Sequence, residues 1–340
     1  MINNNMKYTG IELFAGGGGL ALGLEMAGIE GVCFVESDHQ ACETLRNNRP
    51  DWNVIEDDIA NVDFKNYKGK VDIVSGGPPC QAFSYAGKRL GFGDTRGTLF
   101  AEFARCVKEV QPKMFLFENV KGMIGHDNGR TFKTISHEFE SLGYEIVHKV
   151  LNAAYYGVGQ KRQRLIVIGI RNDLKHKIIF EYPKPNEKMT VLKDVLKNVP
   201  DSPYQPYSEK KRKVMELVPA GGCWVDLPEE IAREYMGKSF YSGGGRRGMA
   251  RRIAWNEPCL TLTTSPSQKQ TERCHPDETR PFTIREYARI QSFPDKWEFI
   301  GSLSEQYKQI GNAVPVEFAR RIGLEINKAL DMEANNELEH

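Results

Sequence analysis

Cys80 stands in Gly76-Gly77-Pro78-Pro79-Cys80-Gln81, directly after the apolar run Val71–Val74. Two prolines stiffen the approach to it. A thiol in a polar loop at a strand end suits nucleophilic attack where a nearby cation or dipole favours the thiolate. The competing reading is an inert core thiol, because cysteine is among the most buried residue types. Glu118 follows a second apolar run, Met114–Phe117, and a parallel sheet puts it on the same edge as Cys80. There a carboxyl group can protonate or hold a ring nitrogen. Gln160-Lys161-Arg162-Gln163-Arg164 precedes a third run, Leu165–Ile170. This dense set of donors suits phosphate and carbonyl oxygens, and Arg162 and Arg164 are the candidate cations for Cys80.

A second constellation begins at Phe14-Ala15-Gly16-Gly17-Gly18-Gly19-Leu20-Ala21, with Glu36 20 residues after Gly16. Glycine lets the backbone turn tightly and approach a ligand, while the later carboxylate accepts from ribose hydroxyls. The pattern implies a cofactor with an adenosine end, and Asp58 could accept from its adenine amino group. The alternative is a glycine-rich turn that holds nothing.

These residues need a frame. Tyr8–Phe14, Val32–Val35, Val71–Val74, Met114–Phe117 and Leu165–Ile170 are short apolar runs separated by longer amphipathic segments. That alternation predicts an α/β fold with a doubly wound, mostly parallel sheet, whose ligands bind beyond the carboxyl ends of the strands. After about residue 184 the texture changes to proline- and glycine-rich sequence, which predicts a second, smaller irregular domain. Helical spacing returns at Thr283–Ile290, led by a Thr283-x-x-Glu286 capping box, and at Val316–Leu330.

The formal net charge of +1 argues at first against a polyanionic partner, but it averages unlike regions. Residues 1–150 carry 16 basic and 20 acidic side chains, whereas residues 151–330 carry 30 and 21. A basic half joined to an acidic half suggests a polyanion bound through one part of the chain. The seven cysteines are scattered without a Cys-x-x-Cys pair, which predicts a reduced chain. Cys223, Cys259, Cys274 and His275 fit no usual zinc spacing, so no metal is expected. No apolar stretch reaches the roughly 18 residues that span a bilayer, and a soluble, cytoplasmic protein is expected.

In this order the motifs resemble those of the cytosine-C5 DNA methyltransferase family, in the compact bacterial form found in restriction–modification systems. The resemblance rests on Glu12 to Gly19, Val35 to Asp38, Gly77 to Gln81, Gly97 to Phe100, Glu118 to Val120 and Gln160 to Arg164. It continues with Arg251-Arg252-Ile253, Arg285 to Asp295 and Gln309 to Pro315. It implies S-adenosylmethionine as methyl donor, with S-adenosylhomocysteine as product. Phe14, Gly16, Gly17, Gly18 and Gly19 would line its methionine end, Glu36 the ribose, and Asp58 and Leu99 the adenine. Asn312, Ala313 and Val314 would complete that pocket. It further implies that a target cytosine is flipped out of duplex DNA, that Cys80 adds to its carbon 6, and that Glu118 stabilises protonation at nitrogen 3. Arg164 would hold the carbonyl and Arg162 would support the site. Ser37 departs from the pattern, standing where some relatives stack an aromatic side chain on adenine.

The implied domains are a catalytic and cofactor-binding domain of residues 1–184 with 311–331, a target-recognition domain of 185–282, a hinge of 283–310 and a tail of 332–340. The implied partner is double-stranded DNA, met by a monomer in the bacterial cytoplasm, at the nucleoid. The candidate DNA contacts are Ser84, Lys88, Arg89, Gln160, Lys161, Arg246, Arg247, Arg251 and Arg252. Arg246 and Arg247 are the candidates for guanine, which arginine can pair bidentately in the major groove. Two rival functions share parts of this pattern. An RNA cytosine methyltransferase of the same fold also carries Pro-Pro-Cys-Gln, although the Cys-Phe-Thr signature of the tRNA branch is absent. A nicotinamide-dependent oxidoreductase would explain the glycine loop and Glu36 but neither Cys80 nor the basic half.

Overall fold

Among the residues described by the computed structural model, which are 7–79, 99–241 and 248–338 with side chains to residue 334, seven strands form one sheet. The apolar runs become β1 (Tyr8–Leu13), β2 (Ile29–Glu36), β4 (Ile73–Gly76), β5 (Met114–Val120) and β8 (Gln163–Arg171). The intervening amphipathic segments become α1 (Gly19–Ala27), α2 (His39–Asn48), α3 (Leu99–Val110) and α4 (Arg130–Ser141). Two further strands have no continuous apolar run to announce them: the three-residue β3 (Val54–Glu56) and β6 (Tyr144–Asn152). Among the described residues β6 pairs with β8 alone and keeps just Tyr144 and Leu151 fully buried, and polar residues interrupt its apolar ones.

The strand order is β3-β2-β1-β4-β5-β8-β6. The first five run parallel, and β8 enters antiparallel to both β5 and β6. The order reverses between β1 and β4, and such a switch opens a crevice at the strand ends. The glycine loop after β1 and Gly77-Pro78-Pro79 after β4 flank this point. Beneath it lies an aromatic core in which Phe103 of α3 meets Phe117 of β5 edge-on at 5.3 Å, with Phe100, Phe115 and Phe139 packed around them.

The chain divides into two compact units. The first holds the sheet: residues through Asn152, then Gln163–Lys184, then Phe318 onward. The second comprises Ala153–Arg162 and Pro185–Glu317. Its elements are short: β7 (Gln160–Lys161), α5 (Leu192–Val195), α6 (Glu209–Glu216), α7 (Glu229–Met236), β9 (Cys259–Leu260), α8 (Ile284–Ile290) and α9 (Leu303–Asn312). β7 and β9 pair in parallel. The expected capping box starts α8: Thr283 Oγ1 accepts from the Glu286 amide at 3.2 Å, and Glu286 Oε2 accepts from the Thr283 amide at 2.7 Å. A last helix, α10 (Val316–Leu338), runs eight residues past the expected Leu330. Within the first unit its Gly323 lies against Leu24 and Ala27 of α1, and Asn327 donates to the Ala27 carbonyl at 2.7 Å. Among the described residues no helix is long and apolar enough to cross a membrane.

Candidate active site

The β5–β8 pairing builds the reactive corner. Its antiparallel register sets Glu118 opposite Ile166 and Val120 opposite Arg164, so Glu118 and Arg164 are diagonal neighbours. Arg164 Nε lies 2.7 Å from Glu118 Oε1, with both side chains about nine-tenths buried. Arg164 Nη1 also donates to the Gln163 carbonyl at 2.9 Å, which orients the guanidinium. The other Glu118 oxygen fits because residue 77 is glycine: a Cβ there would lie 2.6 Å from Oε2. Asn119 Nδ2 donates to the Pro78 carbonyl at 3.0 Å, fixing the backbone two residues before Cys80. Cys80 itself lies outside the described residues, as do Ser84, Lys88, Arg89, Arg246 and Arg247.

The glycine loop is held from two sides. Phe14, Gly16 and Gly18 have φ of 58°, 54° and 86°, a left-handed turn that only the glycines adopt without strain. Gly18 thereby caps α1. Glu36, at the end of β2, accepts from the Gly16 amide at 2.7 Å through Oε2, and from the Ser37 and Asp38 amides at 2.9 and 2.8 Å through Oε1. A carboxylate offers about four acceptor positions, so about one remains for a ligand hydroxyl. From below, Glu12 accepts from the Ala21 amide in the first turn of α1 at 3.0 Å and touches Ser75 Oγ at 3.5 Å. Burial pushes the Glu12 carboxyl up to about 8. Asp58 caps a short turn through the Ala60 amide at 3.0 Å and is exposed. Leu99 and Phe14 pack on the edge of the aromatic core.

In the second unit the polar run beginning at Gln160 alternates as a strand must. Gln160 and Arg162 are buried, and Lys161 is exposed. Gln160 Nε2 donates to Gln291 Oε1 at 2.8 Å, and its Oε1 accepts from the Leu262 amide at 3.0 Å. Arg162 donates to the carbonyls of Leu262, Gly311 and Asn312. Asn312 is exposed, while Ala313 and Val314 are buried.

Three of the residues expected at the DNA have their side chains engaged within the second unit. Gln160 is wholly buried in the network just described. Arg252 donates to four carbonyls, those of Met215, Val218, His275 and Glu278, and to Thr279 Oγ1. Arg251 binds both oxygens of Glu257 at 2.6 Å and the Gly221 and Gly222 carbonyls. A guanidinium inside an irregular domain must find acceptors there, and loop carbonyls need donors. Both arginines thus staple the second unit. The signal that sequence reading missed is that arginine amid short irregular elements serves loop carbonyls as readily as phosphates. It also gave no role to Asn119, Glu12 or Gln291.

Among the described residues, the His/Cys/Asp/Glu group with converging ligand atoms is His39, Glu43 and Glu56, whose carboxylates Arg46 pairs at 3.0 and 2.5 Å. Cys223, Cys259, Cys274 and His275 form no such group.

Comparison with known proteins matches this arrangement. The family model for the C-5 cytosine-specific DNA methylase matches residues 8–328. The Type II methyltransferase M.Sau96I of Staphylococcus aureus is 60% identical over 95% of this chain and 76% of its own length. M.Eco47II of Escherichia coli is 56% identical over 97% of this chain and 81% of its own. The crystal structure of the S. pombe Dnmt2 methyltransferase, at 17% identity, shares the fold with a TM-score of 0.64 over 95% of this chain and 98% of its own.

Proposed function

Since the chain belongs to the C-5 cytosine-specific DNA methylase family and is a DNA (cytosine-5-)-methyltransferase, we propose that Glu118 and Arg164 hold the target base while Cys80 attacks it. The observation that carries this reading is the buried Glu118–Arg164 pair beside Gly77 and Pro78, with Asn119 fixing the chain that leads to Cys80. Carbon 5 of cytosine is a poor nucleophile. When the Cys80 thiolate bonds to carbon 6 and Glu118 holds a proton on nitrogen 3, the ring electrons move to carbon 5. S-adenosylmethionine, when bound, supplies the methyl group that carbon 5 takes up. Loss of the carbon 5 proton and departure of Cys80 as thiolate then restore the aromatic ring. The Arg164 guanidinium has five N–H groups and can serve the base carbonyl while it keeps Glu118 in place. A duplex hides carbon 6 in the base stack, so the base must be flipped out.

The residues on β1 and β2 fit this cofactor. The Gly16–Gly19 turn leaves room for a ligand backbone, and Glu36 keeps about one acceptor position for a ribose hydroxyl. Asp58 is exposed for an adenine amino group, and Leu99 offers an apolar side chain to the ring. Asn312, Ala313 and Val314 are further candidate contacts for this cofactor. Residues 185–282 read the target sequence, with Arg246, Arg247 and Lys161 on the DNA. Ser84, Lys88 and Arg89 act near the flipped base. The Type II names of the relatives support a role in a restriction–modification system, for a monomer acting on DNA in the bacterial cytoplasm.

The test is bisulfite sequencing of plasmid DNA from cells expressing the protein. The expected result is 5-methylcytosine at one short recurring sequence, lost in Cys80→Ala. Duplexes with 5-fluorocytosine at that site should trap a covalent complex, because fluorine cannot leave as a proton. Methylated transfer RNA with unmethylated plasmid would transfer the reading to RNA.

A further inference from the structure

The carboxyl end of α9 is closed by side chains as well as by the backbone, where the Ala313 amide donates to the Gln309 and Ile310 carbonyls at 3.1 and 3.3 Å. A helix leaves its last carbonyls without intrahelical donors. Here four consecutive carbonyls, Ile310 to Ala313, accept from two buried side chains. Gln291 Nε2 donates to the Ile310 carbonyl at 2.7 Å and to the Ala313 carbonyl at 3.2 Å. Arg162 Nη2 donates to those of Gly311 and Asn312 at 3.0 and 3.4 Å. The Gln291 backbone carbonyl also accepts from the Val316 amide at 3.1 Å, just beyond this segment. Gln160 holds the Gln291 amide from behind at 2.8 Å. Gly311 packs so closely on Thr263 that a Cβ would lie 2.2 Å from its carbonyl oxygen. A cation at a helix carboxyl end is also favoured by the helix dipole.

We propose that Gln291 is a positioning residue for the cofactor-completing segment Asn312–Val314, acting with Arg162 as a clamp on both sides of it. This rests on the reading that Asn312–Val314 contact S-adenosylmethionine. The Gln291 amide fixes the Ile310 and Ala313 carbonyls, and the Arg162 guanidinium fixes the two between them, those of Gly311 and Asn312. Removing the Gln291 donors lets Ala313 and Val314 move while Arg162 still holds Gly311.

The experiment measures the Kd of S-adenosylmethionine, the Kd of DNA, kcat at saturating cofactor and thermal melting for Gln291→Asn, Gln291→Met and Asn312→Ala. Asparagine is one methylene short of spanning both carbonyls, and methionine keeps the shape without the donors. The expected result is a cofactor Kd raised about tenfold or more in both Gln291 variants, with kcat within about threefold and DNA affinity unchanged. A fall in kcat with unchanged cofactor Kd marks a merely structural role and overturns the proposal. If Asn312→Ala changes the cofactor Kd and the Gln291 variants do not, the clamp is wrong and the pocket right. If none of the three changes it, the pocket assignment fails as well. If the variants do not fold, a wild-type measurement tests the pocket reading on which the clamp rests. Adding S-adenosylmethionine should slow amide hydrogen exchange across 310–316, and unchanged exchange there overturns the proposal.

Discussion

Glu118 and Arg164 meet diagonally across antiparallel strands, with Nε 2.7 Å from Oε1, at the end of a sheet whose other strands are parallel. The antiparallel entry of β8 brings the start of that strand, and hence Arg164, to the edge where β4 and β5 end. A fully parallel sheet would have sent Arg164 to the opposite edge. Glu118→Gln keeps the size and removes the acid, so kcat should fall by about 100-fold or more. Cofactor affinity should stay within about twofold. Single-turnover methylation and a cofactor titration check both, and unchanged kcat would remove Glu118 from the chemistry.

Gly77→Ala introduces a Cβ 2.6 Å from Glu118 Oε2. The methyl group should push the carboxylate off the position Arg164 gives it. Misplacement by about an ångström can lower kcat about 100-fold, while a single added methyl group just past the end of β4 should leave the fold intact. Wild-type melting with lost turnover is the expected pair of results. Normal turnover would show that the carboxylate has room to relax.

Arg252 and Lys161 should respond in opposite ways. Arg252 is 5% exposed and serves five acceptors, so Arg252→Ala should destabilise the second unit by about 3 kcal/mol or more. Lys161 is exposed, and Lys161→Ala should leave melting unchanged while lowering the salt slope of DNA binding by about 1. Melting curves and DNA affinities across a salt series separate the two. An Arg252→Ala protein that melts normally and loses salt slope would return that arginine to the DNA.

Glu12 gives stability a pH dependence. Its carboxyl is pushed up to about 8 by burial, from 4.5 when exposed, so the folded protein holds this proton more tightly than the unfolded chain. The resulting stability is complete below about 4.5 and is lost as pH rises through about 8, up to about 5 kcal/mol. Between pH 6 and 9 the wild type should lose stability that Glu12→Gln keeps, because glutamine has no proton to lose. Parallel slopes for the two proteins would show that Glu12 does not titrate in this range.

The sequence by itself determined the alternating frame, the glycine turn with Glu36 after the next strand, and the Thr283 capping box. Those features are local: apolar runs, glycine spacing and capping need only neighbouring residues. The strand β6 was not legible, because its pairing with β8 supplies what its composition does not announce. The destinations of the donors were decided only by the tertiary structure. Arg162, Arg164, Arg251 and Arg252 are alike in sequence, each standing in a polar cluster. Folding sends Arg164 to Glu118, Arg162 to the end of α9, Arg251 to Glu257 and Arg252 to loop carbonyls 23 to 37 residues away. The physical reason is that a guanidinium binds carboxylate, carbonyl and phosphate oxygens alike, so its partner is set by which acceptor the chain brings within about 3 Å.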